Sequence, residues 1–150
     1  MEAINKLNDP HIKSIFIGAP MKGDDCTPNC NGIVFRGRVD HDDIPIYINS
    51  ADVFVLPTLK EGCCNAIVEA LACGIPVISS NRPFNDDILN ENNSLAINPE
   101  SIDEIADAIK KMMKDKDLYR KKKEYTCQHS DSYSILVRAR KILSFIEEKA

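Results

Sequence analysis

Short, nearly continuous apolar runs alternate with helical patterns along the chain, and this alternation constrains the fold more than any other feature. Residues 12–17, 33–35, 53–56 and 76–79 read as buried strands, and Leu95-Ala96-Ile97 as a weaker fifth. A strand without polar alternation suits a parallel sheet covered on both faces. Between the runs lie helix signals. Asp42 and Asp43 precede Pro45, a start signal for a helix over residues 42–50. Residues 65–73 end at Gly74, a natural stop, with Pro76 after it. Ser101-Ile102-Asp103-Glu104 is a capping box, and the helix it opens carries Ile102, Ile105, Ala106, Ile109, Met112 and Met113 on one stripe. Ile135, Ala139, Ile142 and Ile146 form another stripe, with Leu136 and Leu143 beside it. Residues 1–7 read as part of a helix. Strand-helix alternation predicts a three-layer, Rossmann-like, doubly wound parallel α/β sheet in a single domain over residues 1–150.

Charge narrows the partners. The net charge of -4 and pI near 5.4 argue against nucleic-acid binding, which shows a basic face. The basic cluster over residues 110–123 reads as the solvated face of late helices. No apolar run approaches the ~20 residues of a membrane helix. The six cysteines read as free thiols of a cytoplasmic protein. Cys26 and Cys30 lack a second pair at zinc spacing, so no metal is expected.

Ligands of open α/β sheets bind beyond the carboxyl ends of the strands. Two familiar phosphate loops fail there. Gly18 and Gly23 have P-loop spacing, but Asp24 and Asp25 follow instead of Lys and Ser/Thr, and no G-x-G-x-x-G exists. The third strand end offers another cradle, Glu61-Gly62-Cys63-Cys64-Asn65, which runs into a helix N-terminus with unpaired N–H groups and a positive dipole end. Gly62 lets a ligand approach the backbone. Glu69 lies two turns in, on the face of Asn65. Carboxylates beside a phosphate site suit sugar hydroxyls, to which they are strong acceptors. The same spacing also fits two solvent-facing helix charges.

Pro57-x3-Glu61-Gly62-x6-Glu69-Ala70-x3-Gly74-x-Pro76-Val77-Ile78-x-Ser80 resembles the E-x7-E region of family 4 glycosyltransferases, of GT-B fold. Gly37-x-Val39, residues 51–57 and the Pro83-Phe84-Asn85-Asp86-Asp87-Ile88 loop extend the likeness. The resemblance implies the donor-binding half of a retaining hexosyltransferase. It implies that Glu61 stands by the donor sugar as the catalytic residue. Gly62, Cys63, Cys64 and Asn65 would hold the diphosphate and sugar, Glu69 the ribose hydroxyls, and Asp87 (alternatively Asp86) would close the next donor loop. The donor would be a UDP- or GDP-linked sugar, with no cofactor and no metal. A lipid-linked acceptor in polysaccharide assembly would bring the chain to a membrane periphery. The family's opening strand, its Arg and Lys on the diphosphate, and its N-terminal acceptor domain have no match here, so the expectation is an N-terminally truncated half that is inactive alone. Arg36, Arg38 and Arg82 could partly substitute, but no motif requires it and they read first as surface charges. Two other readings fit the same fold: a non-catalytic binding module, and half of a GT-B nucleotide-sugar epimerase.

Overall fold

The computed structural model describes residues 1–18, 32–60 and 64–149. Its elements are α1 (Glu2–Leu7), β1 (Ser14–Phe16), β2 (Ile33–Phe35), α2 (Ile44–Asn49), β3 (Phe54–Leu56), α3 (Asn65–Ala72), β4 (Val77–Ser80), β5 (Ser94–Ile97), α4 (Ile102–Lys114), α5 (Lys116–His129) and α6 (Ile135–Lys149). The connection between β1 and β2, with Cys26 and Cys30, lies outside the described residues.

Every strand pair is parallel, as the apolar runs predict. β3, β4 and β5 form one sheet in that order, with Val77 opposite Phe54 on one side and Ser94 on the other. Central β4 is buried along its whole length. Its alternate residues feed two cores. Val77 joins Ile67, Ala70 and Leu71 of α3 and Ile48 of α2. Ile78 joins Ala108 and Met112 of α4. Helices therefore cover both faces, giving the three layers expected.

The sheet differs from expectation in one respect: β1 and β2 pair as a separate two-stranded sheet. α2 packs with α3 on one face, while α1 packs on α4 on the other, tied by an ion pair from Lys6 to Asp103. Within the described residues the two sheets are not joined: β1 pairs with β2, and β3-β4-β5 form the other. In β1, Ser14 N–H bonds Gly32 and Phe16 C=O bonds Arg36, so the backbone of Ile15 faces the other way. In β3, Phe54 N–H bonds Pro76, so Val55 faces away from β4. Among the described residues no strand lies beside either edge, and Ile15 and Val55 stay 44% and 36% exposed.

Local signals explain the helix ends. α3 closes in a Schellman motif: Ile75 N–H donates to Ala70 C=O and Gly74 N–H to Leu71 C=O, both at 2.9 Å. Gly74 takes φ +70°, a left-handed backbone that other residues resist. At α4, Ser101 Oγ accepts from Glu104 N–H at 3.2 Å, as a capping box requires. The Glu104 carboxylate, however, reaches past Ser101 to accept from Asn98 N–H at 2.8 Å. Ala106 and Met112 of the expected stripe are buried, while Ile102 is 40% exposed at the helix start. α6 buries none of its residues, and Ile135, Leu136, Ile142, Leu143, Phe145 and Ile146 are exposed.

The basic cluster is not wholly a solvated face. Lys122 is only 4% exposed, and its Nζ donates to Glu91 C=O across from α5. Burial, then the charge of Lys111, holds its ammonium below the ordinary lysine value, with Glu91 opposing.

Candidate functional site

The expected donor residues fall on two strand-end segments, those that follow β3 and β4. A hydroxyl and amide network locks these segments together. Ser79 Oγ donates to Leu56 C=O at 2.8 Å, and Ser80 Oγ donates to Thr58 C=O. Asn85 Nδ2 donates to Ser80 C=O at 2.8 Å and to Ser79 Oγ at 3.3 Å. Ser79, Ser80 and Asn85 are all buried. In the sequence, Ser79 closes an apolar run, Ser80 is a motif position and Asn85 lies in the loop that extends the likeness. The burial of Asn85 was missed because an Asn in a polar loop gives no signal of it.

Glu61, Gly62 and Cys63 lie outside the described residues. Cys64 is the buried N-cap of α3, and its carbonyl accepts from Ile67 and Val68 N–H at 3.1 and 3.2 Å. Among the described residues, the Cys64 side chain does not cap this end, and no acidic residue stands in the first turn. A helix start with no acid in its first turn leaves the positive end of its dipole to other anions. Asn65 is exposed on the outer face, one turn before Glu69.

Glu69 is half-buried, and His41 Nε2 stands 3.5 Å from its Oε1. His41 opens a 3-10 turn at the end of β2, so two strand-end segments distant in sequence meet at this carboxylate. The sequence gives His41 only the look of a helix-start residue. Four residues beyond Glu69, burial pushes the Cys73 thiol up, a hydrogen bond from Asn49 lowers it, and the charge of Glu69 adds to the rise.

Asp87 and Asp86 are both exposed, one and two residues past Asn85. Asp86, with Ser80, Asn81, Leu89 and Lys122, borders a cavity of about 350 Å³ that does not reach Glu69. Arg82 is held by Glu100 at 3.3 Å, so it is already partnered, whereas Arg36 and Arg38 are exposed at the end of β2. No cluster of three or more metal-ligating side chains occurs among the described residues, nor does a helix long and apolar enough to cross a membrane.

The described residues form a parallel α/β domain in which a helix N-terminus and a carboxylate one turn into that helix lie at the strand ends. The chain matches the family described as glycosyl transferases group 1 over residues 2–129, and it belongs to that family. It is 34% identical over 109 residues to a Bacillus subtilis protein named for teichuronic acid biosynthesis, TuaC, across 72% of this chain and 27% of that protein. It is 36% identical over 101 residues to the Escherichia coli UDP-Gal:alpha-D-GlcNAc-diphosphoundecaprenol alpha-1,3-galactosyltransferase, across 67% of this chain and 26% of that enzyme. In fold it is similar to Anabaena HepE, crystallised with UDP-glucose, with a TM-score of 0.80 and 17% identity over 98% of this chain and 43% of that one. The fold is that of the GT-B glycosyltransferases. The chain spans about a quarter of the length of the first two relatives.

Proposed function

We propose that the chain is the donor half of a retaining glycosyltransferase of family 4, which takes a sugar from a nucleoside diphosphate to a glycan or lipid-linked acceptor in polysaccharide assembly. The observation that carries this is the start of α3. The N-terminus of α3 opens at Cys64 with no acid in its first turn, and Glu69 follows on the same element at a strand end braced by Ser79, Ser80 and Asn85. The amides near Cys63, Cys64 and Asn65 meet the diphosphate, with Gly62 allowing close approach. Glu69 accepts from the ribose hydroxyls. Glu61 stands by the sugar and stabilises the positive charge that develops as the anomeric C–O bond lengthens. Asp87, with Asp86 as the alternate, closes the donor from the next loop. The helix end offsets the leaving-group charge, and no metal is required. Relatives named for UDP-Gal and for GDP-mannose support a UDP- or GDP-linked donor.

A second polypeptide unit, N-terminal in the whole protein, supplies the acceptor site and the missing cation pair. Its support is the exposed apolar side of α6 and the open edges of β1 and β3. Residues 1–150 alone then bind donor without turnover, and a lipid-linked acceptor places the assembled enzyme at the cytoplasmic membrane surface. Glu69→Ala tests the site. It should weaken nucleoside diphosphate binding more than sugar-phosphate binding, and equal loss of both would contradict the ribose assignment.

A further inference from the structure

Glu69 meets the residue that leads into α2, and α2 itself is anchored on α3. At one end His41, which leads into α2, faces Glu69 Oε1 at 3.5 Å. At the other, α2 brings Asn49 beside Cys73, the residue that caps α3 one turn after Glu69. Between these points Ile44 and Ile48 pack against the α3 core of Ile67, Ala70 and Leu71. The His41 backbone is thus fixed relative to Glu69 by buried apolar contacts rather than by the side-chain contact itself.

The contact adds little to stability, because the His41 side chain is 84% exposed. Its effect is on orientation. Oε1 faces the imidazole, and Oε2 has no hydrogen-bond partner among the described residues. A carboxylate held on one oxygen and open on the other is a pre-set acceptor, and setting it in advance spares the ordering of a flexible side chain on binding.

We propose that His41 is a positioning residue of the donor subsite: it holds Glu69 in the orientation that accepts the vicinal hydroxyls of a ribose. This rests on the donor reading given above. Ordering one such side chain corresponds to about a two- to ten-fold change in affinity.

The test is an amide-shift titration of the chain and its His41→Ala and His41→Gln variants. The ligands are UDP and GDP and their 2′,3′-dideoxy counterparts. The unsubstituted chain should prefer the ribose forms. His41→Ala should weaken the preferred ribose ligand by about two- to ten-fold and leave its dideoxy counterpart unchanged. His41→Gln, which restores a planar donor, should recover part of the preference. A merely structural His41 would weaken both ligands alike, and that result, or an unchanged preference in His41→Ala, overturns the proposal while the donor site stands. Failure of the unsubstituted chain to bind either diphosphate at millimolar concentration overturns the donor reading and this inference with it.

Discussion

Asn85 donates its side-chain amide to the Ser80 carbonyl at 2.8 Å, and through this bond the loop after β4 is fastened to the strand it leaves. Asn85 is 4% exposed, so its removal strands buried acceptors. Asn85→Ala should cost about 1–3 kcal/mol in urea unfolding. It should also broaden the amide signals of residues 81–89. A cost below a few tenths would mean that water replaces the side chain without loss.

Gly74 and Cys127 touch so closely that no side chain fits between them. A Cβ at Gly74 would lie 2.8 Å from Cys127 Sγ, and the backbone there is left-handed. Gly74→Ala should therefore destabilise by about 1–3 kcal/mol from strain and crowding together. Adding Cys127→Ala should return only the crowding share. Full recovery in the double variant would show that the left-handed turn carries no cost.

Lys122 gives a pH signature. Burial holds its ammonium below the ordinary lysine value of about 10.4, so the unfolded chain keeps that proton to higher pH than the folded one. The cost of burying the charge is present at neutral pH and is relieved as pH rises through the folded value. Lys122→Met lacks this term. Its stability relative to the parent chain should be greatest near pH 8 and should shrink toward pH 10.5, read from urea midpoints. Parallel pH curves would contradict the burial of a charged Lys122.

The open edges of β1 and β3 predict fast exchange. Amides of Ile15 and Val55 should exchange with solvent far sooner than those of Val77 and Ile78 in central β4. Ile15→Lys should lower self-association without changing that pattern, since charge on an edge blocks strand addition. Protection of Ile15 and Val55 equal to that of Ile78 in a monomer would show that the edges are covered.

The sequence revealed what rests on local chemistry and concealed what rests on long-range pairing. Gly74 declared the end of α3 because a left-handed turn needs glycine, and Ser101 with Glu104 declared the start of α4. The apolar runs announced parallel strands, but run composition carries no information on which strands pair, so the separation of β1 and β2 from the sheet of β3, β4 and β5 was not legible. Lys122 looked like its charged neighbours because burial of one lysine in a basic run leaves no trace in spacing. Glu69 was legible as a site residue. Its neighbour His41 was not, since 28 positions separate them and only the packing of α2 on α3 brings them together.

The central claim is that the helix beginning at Asn65 holds a nucleoside diphosphate sugar. Its most direct measurement is a titration of the 150-residue chain with UDP- and GDP-linked sugars, following backbone amide shifts. Saturable shifts are expected at Cys64, Asn65 and Glu69 for donors of one base, with weaker shifts at Asp87. Shifts absent from that segment at millimolar donor, in a folded chain, would contradict it.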